Sequence, residues 1–160
     1  LQMVAERSGE TASEGAVAEM VERMSSLPAH AEVPAALHRL RETPLTVVAL
    51  TNSVQAVAEA QLRNAGIDDS FDAVLSADAF RALKPAARPY HAVAEGFDVP
   101  IGEVRLVAAH SWDVSGALAA GARAAFVARP GMVHSPIGPQ PDIVEADLAA
   151  VVDRIIERDT

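Results

Sequence analysis

The sequence predicts an α/β fold in which a parallel sheet carries helices on both faces. Three observations predict it. Short apolar runs of strand length alternate with helical stretches, and that order implies right-handed βαβ crossovers. The strand-like runs are apolar throughout rather than alternating, as expected of strands buried on both faces. Half of the 160 residues are hydrophobic but only 4% are aromatic, so the core is built from Ala, Val, Leu and Ile.

The elements follow in order. Residues 13–27 carry Val17, Met20, Val21 and Met24 at helical spacing, with Ser13 and Glu14 at the start. No strand precedes this helix, which sets it apart as a separate helical element. Residues 33–42 read as a second helix, with Pro34 in its first turn. The run "LTVVAL" (45–50) is a buried strand, and residues 53–66 form a helix closed by Gly66. A strand at 71–76 and a helix at 88–98 come next, then a strand at 104–109, a helix at 113–121 and a strand at 122–128. A loop with four prolines spans 130–141. A short strand at 142–144 and a helix near 145–158 close the chain.

Charge and composition exclude several functions. The net charge of −9 argues against nucleic acid and anionic membranes as partners. No stretch is long and apolar enough to span a bilayer. The absence of cysteine excludes disulfides, thiolate metal sites and cysteine nucleophiles, and fits a cytoplasmic protein.

Ligands of such sheets bind at the carboxyl ends of the strands. Strand 45–50 ends in Thr51, Asn52 and Ser53, where Asn52 or Ser53 can cap the next helix and Asn52 with Gln55 has capping-box spacing. The same groups can form an anion site at a helix N-terminus. Lys84 precedes Pro85 after strand 71–76, and Tyr90 lies six residues on, at a helix start where half-burial is its plain role. His110, Trp112 and Asp113 follow strand 104–109, with Asp113 placed as a good N-cap. Each residue alone has an ordinary structural role. A hydroxyl, an amide, a lysine, a histidine and a carboxylate at the strand ends of one sheet make a candidate site.

The run "ALTNS…LRNAGIDDSFDAVLSADAFRALKPAARPYHAVAE…VRLVAAHSWDVSGALAAGARAAFVARPG" resembles the haloacid dehalogenase superfamily and, within it, the L-2-haloacid dehalogenases. Three separated motifs occur in order at the family's spacing. The resemblance implies a Rossmann-like core at 28–160 and, at 1–27, the remnant of a helical cap. It implies hydrolytic dehalogenation of a short 2-haloalkanoic acid. An aspartate carboxylate displaces halide, and water then hydrolyses the resulting ester. By similarity, Thr51 would hold the substrate carboxylate, Asn52 would bind departing halide, and Lys84 would steady the nucleophile and the substrate charge. Tyr90 and Trp112 would line the substrate pocket, and Asp113 would pair with Lys84 and position water.

Two departures from the family pattern matter. Ala108 and His110 stand where better-known dehalogenases have Ser and Asn. A histidine there is a candidate base for ester hydrolysis. Superfamily phosphatases place a Mg²⁺-binding acid near that position, so its replacement favours chemistry without metal or cofactor. The second departure is the nucleophile. No Asp follows an apolar strand in the form D-x-[Y/D/F]-G-T, so the resemblance places the nucleophilic Asp and the first core strand outside this chain. That strand would lie between strands 45–50 and 104–109. The slot is expected to be filled by a complementing N-terminal segment, by a strand of another chain such as a homodimer partner, or by direct pairing of the two strands. The alternatives are a superfamily phosphatase and a non-catalytic receiver-like or partner-binding module.

Overall fold

The computed structural model describes residues 7–9, 11 and 13–160. The parts of the expected cap remnant at 1–6, 10 and 12 lie outside the described residues. Helix α1 is Glu14–Ser25, capped by the Ser13 hydroxyl, which accepts from the Ala16 amide at 3.2 Å. Of its expected apolar stripe, the side chains of Val21 and Met24 lie outside the described residues. Val17 is half-buried and Met20 is exposed, and the helix lies against α3.

Helix α2 (Val33–Arg41) leads to strand β1 (Val48–Thr51) and helix α3 (Gln55–Asn64). Strand β2 (Ala73–Ser76), helix α4 (Ala87–Gly96), strand β3 (Arg105–Ala108) and helix α5 (Ser111–Ala119) follow. Strands β4 (Arg123–Val127) and β5 (Ile143–Glu145) precede the last helix, α6 (Leu148–Asp159). The expected alternation of elements is present, with strand ends trimmed. Residues 45–47 leave the ladder because Val47 is held by an aspartate. Its N–H donates to Asp72 Oδ2 at 2.7 Å, and its carbonyl accepts from the Asp72 N–H at 2.8 Å.

The three strand pairings among the described residues are all parallel, in two sheets. β1 pairs with β2, from Val48 opposite Ala73 to Thr51 opposite Ser76. β4 pairs with β3 on one side, Arg105 opposite Arg123, and with β5 on the other, Ala125 opposite Ile143. Among the described residues β1 and β3 do not pair, so direct pairing of these two strands, one of the three expected outcomes, is not adopted. Side-chain packing unites the two sheets instead. Leu50 of β1 and Leu106 of β3 pack on one cluster with Tyr90 and Ala117, from α4 and α5. Val47 and Val107 pack on the opposite face with Leu37 and Leu40 of α2 and Val151 and Ile155 of α6. β4 shows the two-residue period of a strand buried on both faces: Ala124 and Phe126 point to one cluster, Ala125 and Val127 to the other.

Candidate active site

Three elements meet where β1 and β3 end. β3 runs through Ala109 into α5, whose N-cap is His110 rather than Asp113. Asp113 is the third residue of the helix, in the first turn, where free amides and the helix dipole favour a carboxylate. It is 5% exposed. The Lys84 Nζ donates to Asp113 Oδ2 at 2.6 Å, so the pairing expected from the sequence is present. The Tyr90 hydroxyl lies 2.6 Å from Asp113 Oδ1, where it donates, and 3.2 Å from the Asp113 carbonyl. Tyr90 is 1% exposed, where half-burial was expected. Burial, then the hydrogen bond to Asp113 and its charge, push the phenol well above its ordinary pKa. Tyr90 therefore stays protonated and serves the carboxylate as a fixed donor.

Asn52 is not a helix cap, and neither is Ser53. The N-cap of α3 is Val54, and Gln55 turns to Glu59, the Val74 carbonyl and the Ser76 amide, so no capping box forms. The reason is a better use of the amide. Asn52 Oδ1 accepts from the Lys84 N–H at 2.8 Å and Nδ2 donates to the Lys84 carbonyl at 3.0 Å. The side chain imitates a strand neighbour and clamps the Lys84 backbone. Thr51 Oγ1 accepts from the Ser53 N–H at 3.1 Å. The Ser76 hydroxyl donates to the Ser53 carbonyl at 2.8 Å, closing this loop from below.

His110 and Trp112 are exposed, with ring centroids 5.8 Å apart and planes tilted by 36°. The Ser111 hydroxyl accepts from the Ser135 N–H at 2.9 Å, which draws the proline-rich loop to the same end of the sheet. Thr51, Asn52, Lys84, Tyr90, His110, Trp112 and Asp113 thus all sit at or beside the carboxyl ends of β1, β2 and β3. Direct contacts join Asn52, Lys84, Tyr90 and Asp113, and a ring contact joins His110 and Trp112. Two features escaped the sequence reading: the Asn52 clamp and the seating of Pro85 on Gly116. Among the described residues no group of three or more His, Asp or Glu could hold a metal ion. No helix among them is long and apolar enough to cross a membrane.

A family model described as haloacid dehalogenase-like hydrolase matches residues 3–121. The chain belongs to the haloacid dehalogenase-like hydrolases. It is 29% identical over 142 residues to haloacetate dehalogenase H-2 of Moraxella sp. (strain B), covering 89% of this chain and 63% of that protein. It is 36% identical over 116 residues to an (S)-2-haloacid dehalogenase of Xanthobacter autotrophicus, covering 72% and 45%. The chain therefore spans about half to two-thirds of the length of these relatives. An L-2-haloacid dehalogenase structure from Xanthobacter autotrophicus superposes with a TM-score of 0.86 at 27% identity, covering 99% of this chain and 73% of that one. A structure of an L-2-haloacid dehalogenase from the same organism with chloropropionic acid covalently bound superposes with a TM-score of 0.84 at 28% identity, covering 97% and 71%. The α/β, Rossmann-like fold of this hydrolase family is thus the fold of this chain.

Proposed function

We propose that the protein containing this chain hydrolyses the carbon–halogen bond of a short 2-haloalkanoic acid through an aspartyl ester. The observation that carries the reading is the buried Lys84–Asp113–Tyr90 cluster at the carboxyl end of the sheet. In the first step a carboxylate oxygen bonds to the carbon bearing halogen, and the halide leaves with the bonding pair. In the second, water attacks the ester carbonyl and loses its proton to a base. The 2-hydroxy acid departs and the carboxylate is regenerated.

The nucleophilic aspartate comes from a segment outside these residues. Its strand seats between the edges of β1 and β3 that pair with no other strand among the described residues, with residues 1–27 as a cap remnant beside a core at 28–160. A strand there would place its last residue beside Thr51 and Lys84. Lys84 then offers positive charge to the nucleophile and to the substrate carboxylate. Asp113 holds the ammonium in place, and Thr51 and Asn52 flank substrate and halide. Trp112 walls the pocket. His110 takes the proton of the attacking water. The covalently bound chloropropionic acid of the dehalogenase relative supports an ester intermediate.

Halide release from 2-chloropropionate tests the reading, with the full coding sequence expressed. The expected result is stoichiometric halide and hydroxy acid. Turnover of p-nitrophenyl phosphate with Mg²⁺ and no halide release would replace it with phosphatase chemistry. His110→Ala is expected to slow ester hydrolysis by about 10²–10⁴-fold while ester formation persists, as read by single-turnover mass spectrometry of the ester. An unchanged hydrolysis rate would remove His110 from the mechanism.

A further inference from the structure

Lys84 is the one lysine of the sequence, and its side chain is 9% exposed. Its long stem has many rotamers, so a 2.6 Å contact with Asp113 requires a fixed backbone at residue 84. Two contacts fix it. The first is the Asn52 clamp on both the N–H and the carbonyl of Lys84. The second is glycine. Gly116 lies three residues after Asp113 on α5, on the same side of the helix. A Cβ at Gly116 would stand 2.6 Å from Pro85 Cβ, 2.7 Å from the Pro85 carbonyl oxygen and 3.0 Å from Pro85 Cα. Two of these atoms are backbone and cannot swing aside. A glycine inside a helix is less favourable than alanine, and here the close seating of Pro85 is what it makes possible.

We infer that Gly116 and Asn52 are positioning residues that set the reach of Lys84 onto Asp113. Gly116 admits the residue after Lys84 onto the helix that carries Asp113, and Asn52 holds Lys84 from the β1 side. A side chain at 116 moves the backbone of 84–85 outward and takes the ammonium off the carboxylate. The consequence for turnover rests on the dehalogenase reading above; the positioning itself does not.

Lys84 and Tyr90, the one lysine and the one tyrosine of these 160 residues, give two separate readouts, each followed against the Lys84→Met or Tyr90→Phe protein. Acylation of Lys84 by an N-hydroxysuccinimide ester, followed by mass spectrometry, reports how often the ammonium leaves its buried pair. The absorbance of ionised Tyr90 reports whether α4 and α5 still enclose the phenol on Asp113. Gly116→Ala and Asn52→Ala are each expected to speed Lys84 acylation about tenfold, as local opening exposes the amine. In both, Tyr90 still resists ionisation past its ordinary value of 10.0. Gly96→Ala, where no atom lies within 4 Å of the added carbon, leaves both readouts unchanged. Unchanged acylation in both variants overturns the inference, as does a Gly116→Ala protein in which Tyr90 is freed together with Lys84, the mark of a loosened helix. If Gly116→Ala fails to fold, Asn52→Ala alone decides by the same two readouts. A faster Lys84 reaction in a protein that releases no halide from any 2-haloacid refutes the proposed activity and leaves the positioning intact.

Discussion

Each end of β3 carries a cluster of opposite charges, and the two are bonded differently. At the amino end, Arg105 forks onto Asp159, with Nε to Oδ2 at 2.7 Å and Nη2 to Oδ1 at 3.2 Å, and onto both oxygens of Asp142. Arg123 adds a 2.7 Å bond to Asp159 Oδ1, and Arg158 one of 3.2 Å to Asp142 Oδ2. Every carboxylate oxygen is engaged, and the network fastens the last turn of α6 to the start of the sheet. At the carboxyl end the Lys84 ammonium, with three N–H groups, has one acceptor among the described residues, Asp113 Oδ2. Burial does not separate the clusters: the side chains of Arg105 and Asp159 are 7% and 8% exposed, those of Lys84 and Asp113 9% and 7%. Saturation does. A closed network of forked arginines holds structure, whereas the Lys84 ammonium makes a single bond to one carboxylate oxygen.

The largest expected effect is at the carboxyl end. Asp113→Ala leaves the buried ammonium without an acceptor and the Tyr90 hydroxyl with only the residue-113 carbonyl, at a cost of about 3–5 kcal/mol in urea unfolding, and under the proposed function it abolishes halide release. The double variant Lys84→Met/Asp113→Leu removes both charges, and it is expected to regain most of that stability and none of the activity. A double variant as unstable as the single one would make this cluster structural and erase the contrast.

At the amino end, Asp159→Ala takes two hydrogen bonds from Arg105 and one from Arg123 while Asp142 still serves Arg105. The expected loss is about 2 kcal/mol, read from the urea midpoint. Halide release per folded molecule and the acylation rate of Lys84 should stay at their original values. A change in either would show that the two ends of β3 are coupled.

The same contrast explains what was legible in the sequence. The alternation of apolar runs and helices is a local pattern, so the order of elements and the parallel sheet could be read from it. Strand ends could not, because side chains such as Asp72 replace ladder bonds there. Lys84 and Asp113 follow apolar strands, and the resemblance to the dehalogenases carried the expectation of their pairing. The Asn52 clamp joins residues 32 apart through the backbone of Lys84, and no residue type announces a backbone contact. Asn52 looked like a cap because position, not partner, is what a sequence displays. The Arg105–Asp159 bond spans 54 residues and belongs to no motif, so the amino-end network was invisible until the chain was folded.

The smallest effect expected distinguishes charge from packing at that amino end. The hydrogen bond from Arg105, together with its charge and that of Arg158, holds the Asp142 carboxyl below its ordinary 3.8, against the opposing effect of burial. A carboxyl whose pKa is lower in the folded state contributes stability above the unfolded value and loses it as pH falls through the folded one. The Asp142 side chain is 39% exposed, so water and salt screen much of the pair. Asp142→Asn is therefore expected to lower the urea midpoint slightly at pH 7. The gap should narrow as the pH falls below about 5 and close once Asp142 is protonated in the folded protein. Added salt should shrink the neutral-pH gap in the same way. A gap that persists unchanged into acid would mean that Asp142 contributes shape rather than charge. The closed network would then reduce to Arg105, Arg123 and Asp159.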